Sequence, residues 1–161
     1  MINNLIIRDA SIDDATTILS FIKKIAEYEK LEKDVSATVG IIQESIFRKN
    51  FAQVVIGEVF ERAVAFAVFF YTFSTFTGKP SLYIEDIFVD EEYRHRGVGS
   101  KIFKHLTSLA IKNGCGRLEL SVLKWNEPAI KFYKKMGGYS LDEWSIFRFD
   151  EEVLKNIIND L

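Results

Sequence analysis

Apolar residues fall into blocks of two spacings along the chain, one strand-like and one helical. Leu5–Arg8 is a short apolar run that reads as a strand. Ser11 then opens a helix, because a hydroxyl residue followed three positions later by Asp14 resembles a capping box with a shorter acid. Ala15, Ile18, Ile22 and Ile25 recur at helical spacing and mark one buried stripe, in a helix predicted to run to about Tyr28–Glu32. Val39, Ile42 and Ile46 mark a second helix. Ala52–Phe60 and Ala63–Phe73 read as two strands of a tight hairpin, with only Glu61 and Arg62 between them. In the second of these, Ala63, Ala65 and Ala67 alternate with Val64, Phe66 and Val68, giving one small and one bulky apolar face, as a central strand covered on both sides requires.

Thr77-Gly78-Lys79-Pro80 breaks the chain before a third long strand, Ser81–Val89. A helix over Gly97–Asn113 carries Ile102, Phe103, Leu106, Leu109 and Ala110 on its apolar side, with Gly114 beyond its end. Arg117–Leu123 reads as a strand, Asn126–Met136 as a helix stopped by Gly137-Gly138, and Ser145–Phe149 as a last strand. Asp150 caps a final helix with Val153, Leu154, Ile157 and Ile158 on one face. Helices alternate with strands only in the second half, so the expected class is mixed α/β, with a mixed rather than wholly parallel sheet covered by helices.

Composition narrows the function classes. At 161 residues, with no linker or repeat, the chain is expected to form a single domain over residues 1–161. A net charge of −2 provides no global basic field, so nucleic acid is not an expected partner. Cys115 is the single cysteine, which excludes an intrachain disulfide and a cysteine-rich zinc site. The longest wholly apolar stretch, Ala63–Tyr71, is far short of the roughly 18 residues of a membrane span. The opening residues do not read as a signal peptide, so a cytoplasmic protein is expected.

Three segments carry candidate chemistry. Arg94-His95-Arg96-Gly97-Val98-Gly99-Ser100 lies between a strand and a helix, with Lys101 and Lys104 adding to its cations. Its glycines let backbone N–H groups turn toward an anion at a helix start, but it lacks the further residues of a dinucleotide fingerprint or P-loop. A phosphate cradle and a plain helix start fit this loop equally well. Glu85-Asp86 sits inside an apolar strand, where neighbours face opposite sides, so one carboxylate is expected on each face of the sheet. Each then needs a partner or a pocket, unless the sheet splays to admit water. Asn126, Ile130 and Tyr133 share one helix face, with Tyr133 readable either as a packed core residue or as a phenol aimed at a site. His95 and His105 have no partner spacing for a metal, and no metal site is expected.

The three segments in this order resemble the GNAT acetyltransferase superfamily. Arg94-His95-Arg96-Gly97-Val98-Gly99 matches its R/Q-x-x-G-x-G/A motif. Ala26-Glu27-Tyr28-Glu29, Leu82 through Val89 and Trp125-Asn126-Glu127-Pro128 are most similar to the spermidine/spermine and thialysine acetyltransferase branch. The resemblance implies a twisted sheet of about six to seven strands, splayed between Ser81–Val89 and Arg117–Leu123 to admit acetyl-CoA. Backbone at Ile87, Phe88 and Val89 would meet its pantetheine. Arg94, His95, Arg96, Gly97, Val98, Gly99 and Ser100 would hold its pyrophosphate, with Asn126, Pro128, Ala129 and Tyr133 flanking it. Tyr28, Glu29, Glu85 and Asp86 would bind a small cationic amine, with Glu85 as base and Tyr133 as acid. The relatives imply a homodimer. The loop Ser74–Pro80 lacks the acid and tryptophan of the polyamine enzymes, and the Glu61-Arg62 hairpin is shorter than in the animal enzymes. Two rival readings share the fold: a protein lysine or N-terminal acetyltransferase, and a non-catalytic acyl-CoA sensor.

Overall fold

The computed structural model describes residue 2 and residues 4–159. The chain divides into two compact units, Met1–Ser121 and Val122–Leu161.

The first unit is a sheet of five strands in sequence order: β1 (Leu5–Asp9), β2 (Gln53–Val59), β3 (Arg62–Ser74), β4 (Lys79–Val89) and β5 (Arg117–Leu120). The first four are antiparallel neighbours and β5 joins β4 in parallel, so the sheet is mixed as expected. The count among the described residues is five rather than six or seven. The expected strand at Ser145–Phe149 is not formed, and Ile146 and Phe147 stay exposed. A strand needs a ladder partner, which a local apolar pattern cannot supply.

Two helices cover the faces. The capping box forms as expected: Asp14 accepts from the Ser11 N–H at 2.7 Å, ahead of a short 3₁₀ turn and α1 (Ala15–Glu29). Ala15, Ile18 and Phe21 pack with Ile42 of α2 (Val39–Ile42) against Val54, Ile56, Phe66 and Val68. A π-helical turn, Gln43–Arg48, continues α2. On the opposite face Val98, Ile102, Leu106 and Ala110 of α3 (Val98–Lys112) pack on Val55, Ala65, Ala67, Leu82 and Ile84. The small residues Ala65 and Ala67 thus meet α3 and the bulky Phe66 and Val68 meet α1, but a bulge opposite Gly57 and Glu58 reverses the expected sides of the first two, with Val64 in the α3 cluster and Ala63 against the α1 cluster. Gly57 permits that approach: a Cβ there would lie 3.3 Å from Ile102 Cδ1.

The second unit contains α4 (Glu127–Lys135) and α5 (Glu151–Asn159). Gly137, at φ 94, stops α4, and the Gly138 N–H reaches the Tyr133 carbonyl at 2.9 Å. Asp150 caps α5 as expected, accepting from the Val153 N–H at 3.1 Å.

Candidate active site

β4 changes partners midway. Ser81–Ile84 pair with Arg117–Leu120 of β5, whereas from Glu85 to Val89 the ladder continues on β3 alone. The edge of Glu85–Val89 away from β3 therefore has no strand partner among the described residues. This is the splay implied by the resemblance, and it leaves Ile87, Phe88 and Val89 on an open backbone edge.

The register slips at the same point. Phe69 opposes Ile84 and Val68 opposes Asp86, so Glu85 is an extra residue, a β-bulge. Ile84 and Ile87 both pack with the α3 cluster, although they are three residues apart. Glu85 and Asp86 thus both leave the α3 face. Asp86 shares the side of Val68, which belongs to the α1 cluster. The expectation of one carboxylate on each face is corrected by the bulge, which breaks strict alternation. Glu85 is exposed and Asp86 is half-buried. Burial, then the charges of Glu85 and Glu29, push the Asp86 carboxyl up to about 6. Burial also raises the carboxyl of Glu29, at the end of α1. The charges of Glu85, on the same strand, and of Glu29, on α1, thus both act on Asp86, an arrangement that favours an incoming cation.

The glycine loop follows β4. His95 and Gly97 are left-handed, at φ 59 and 86, and the second is the residue before α3. The Lys101 N–H makes the first bond into α3, to the Gly97 carbonyl at 3.1 Å. The N–H groups of Val98, Gly99 and Ser100 precede it and have no carbonyl of their own helix to bond. A 15-residue helix adds a partial positive charge at this end. A side chain at Gly99 would approach Val89 Cγ2 at 3.7 Å and fill the corner between strand and helix. These features fit a pyrophosphate held by backbone.

The nearby cations are partly committed elsewhere. Lys101 Nζ donates to the Ile2 carbonyl at 2.8 Å. The Arg94 Nε donates to the Val89 carbonyl at 3.0 Å, and its guanidinium lies over the rings of Tyr28 and Phe88, at 5.3 and 5.4 Å. Arg96 lies over the Tyr93 ring.

Within the second unit, the Asn126 carboxamide caps α4, accepting from the Ala129 N–H at 3.3 Å, with Pro128 in the first turn. Tyr133 lies two turns on, with its ring edge-on to Phe132. Burial pushes its phenol up to about 12, so it holds its proton at neutral pH.

Sequence reasoning missed Lys24. Its Nζ meets the buried carboxylate of Asp90 at 2.6 Å and lies over the Phe21 ring. The signal was present: Phe21, Lys24 and Tyr28 share one face of α1 by their spacing.

Residues 17–138 match the model of the "Acetyltransferase (GNAT) family", and the chain belongs to that family. It is 34% identical to the thialysine N-epsilon-acetyltransferase of Sus scrofa over 96% of this chain and 97% of that one. It is 39% identical to an L-ornithine N5-acetyltransferase of Arabidopsis thaliana, over 57% of this chain and 40% of that one. A solved integron cassette protein from the mobile metagenome of V. cholerae superposes with a TM-score of 0.79 at 22% identity, over 96% and 98% of the two chains, and attests the fold. The protein is an acetyl-CoA-dependent N-acetyltransferase acting on amines.

Proposed function

We propose that this enzyme acetylates the primary amine of a small cationic substrate, a diamine, polyamine or thialysine-like molecule, by direct attack in a ternary complex. The observation that carries the reading is that the charges of Glu85 and Glu29 both act on the half-buried carboxyl of Asp86. Relatives named for thialysine and ornithine support the same class.

Acetyl-CoA supplies the reactive thioester. The backbone of Ile87–Val89 and the loop His95–Ser100 hold it, and the resemblance adds Asn126, Pro128 and Ala129 to the residues that would flank it. Asp86 and Glu29 bind the cationic tail of the substrate, with Tyr28 beside them. A lysine-like amine, of pKa near 10.4, needs about 4.6 kcal/mol to shed its proton at pH 7. Glu85 takes that proton, directly or through water. The nitrogen then bonds to the acetyl carbon and sheds its second proton to water, the carbon–sulfur bond breaks, and Tyr133 gives its proton to the sulfur and recovers one from water.

CoA release is measured against thialysine, short diamines, spermidine and a lysine-containing peptide. Turnover is expected with thialysine or a diamine. Turnover on the peptide alone points to a protein acetyltransferase, and CoA binding without turnover on any amine points to a sensor. On the best amine, Tyr133→Phe is expected to lower kcat by roughly 10²–10⁴-fold with acetyl-CoA affinity intact. Unchanged kcat removes the phenol from the chemistry.

A further inference from the structure

The glycine loop and the acidic pocket meet on α1. Lys24 and Tyr28 stand one turn apart on that helix, and both reach the segment that joins β4 to α3. Lys24 holds Asp90, the residue that leaves β4, and Asp90 is buried with only 7% of its surface exposed. Tyr28 lies under Arg94, which is itself bonded to the Val89 carbonyl and backed by Phe88. The two contacts bracket the single turn Glu91–Tyr93. Beyond Arg94 the backbone enters the left-handed residues of the loop. On the helix side, Tyr28 is followed by Glu29, the last residue of α1 before left-handed Lys30. One of the three carboxylates thus hangs from the helix end that Arg94 covers.

We propose that the Lys24–Asp90 pair and the Arg94–Tyr28 stack form a clasp that couples acetyl-CoA to the amine, so that each co-substrate binds more tightly when the other is present. Lys24 and Arg94 act as positioning residues. Ordering the loop on a pyrophosphate fixes Arg94, Arg94 fixes the last turn of α1, and that turn presents Glu29 to the cationic tail of the substrate. A cationic tail between Glu29 and Asp86 holds the same turn and returns the effect to the loop, as reciprocity between two sites requires.

The inference rests on the amine-acetyltransferase reading, so turnover of thialysine by the wild type is measured first. The affinity for CoA is then measured by calorimetry with and without saturating thialysine. The wild type is expected to bind CoA about tenfold more tightly with thialysine present, within the usual range of couplings between sites. Lys24→Met keeps the aliphatic stem and loses the ion pair, and it is expected to reduce the ratio to near one. Lys24→Arg is expected to restore it. Arg94→Lys keeps the charge but not the planar stack; it is expected to reduce the ratio whatever it does to CoA affinity alone. A variant that is merely less stable lowers its melting temperature without moving the ratio. Turnover with a ratio of one in the wild type, or a wild-type ratio in both Lys24→Met and Arg94→Lys, overturns the clasp. Where a diamine rather than thialysine turns over, that diamine replaces thialysine in the titration; absence of turnover on every amine overturns the underlying reading, and the clasp with it.

Discussion

Asp86 is the residue at which function and stability conflict. Burial and the charges of Glu85 and Glu29 push its carboxyl up to about 6 in the folded chain, from an ordinary value of 3.8. Between those values the folded state holds a proton that the unfolded state has released, so stability falls as pH rises from about 4 to about 6. Above that window the cost is fully developed, on the order of 3 kcal/mol. Asp86→Asn is expected to remove it, raising the melting temperature at pH 7 by roughly 6–12 °C for a chain of this length. The same change is expected to raise the KM for the amine. Thermal scans at pH 4 and pH 7 check the first claim, because the gain must vanish at the lower pH. An equal gain at both values assigns it to packing instead. The identities of Glu85 and Asp86 were legible in the sequence. Their shared side was not, because a bulge depends on the register of a partner strand that lies elsewhere in the chain.

At the scale of elements, local patterns were legible where local chemistry decides them. The Ser11/Asp14 box, the small and bulky faces of β3 over residues 65–68, the glycine stop of α4 and the Asp150 cap each follow from nearby residues. Arg8 reinforces the first of these, bonding Asp14 through two nitrogens and reaching Glu58 at 2.7 Å. The strand expected at Ser145–Phe149 failed because its existence depends on a distant partner. The β2–β3 hairpin shows a third case, a turn whose geometry and residues disagree. Phe60 and Glu61 lie at φ 49 and 62, the left-handed pair of a two-residue hairpin turn, yet neither is Asn, Asp or Gly. Left-handed backbone costs such residues roughly 1–2 kcal/mol each. The double substitution Phe60→Asn, Glu61→Gly is expected to raise stability by about 1–2 kcal/mol, read as a higher urea midpoint with an unchanged slope. A lower midpoint means that the exposed Phe60 ring contributes more than the strain costs.

At the scale of the molecule, the β3–β4 hairpin has a surface that its own core does not use. The aromatic run beginning at Phe69 divides as it leaves the helix-covered region. Phe69 is buried against the α3 cluster, and Phe70 lies on Tyr83 at 5.1 Å. Farther out, Phe73 is 65% exposed and Phe76 at the tip is 96% exposed. Burying one such ring contributes roughly 1.5–3 kcal/mol, so two rings on a projecting hairpin favour an apolar partner. A second copy of the chain can present the same pair in return, as a twofold interface requires. The wild type is therefore expected to scatter light as a dimer of about twice 18.5 kDa at micromolar concentration. Phe73→Lys with Phe76→Glu adds charge where no core contact exists. It is expected to yield monomers with an unchanged far-ultraviolet spectrum and nearly unchanged melting at high protein concentration. A dimer that survives both substitutions moves the interface to another face of the molecule. A wild type that stays monomeric leaves the two rings as surface aromatics of the hairpin tip.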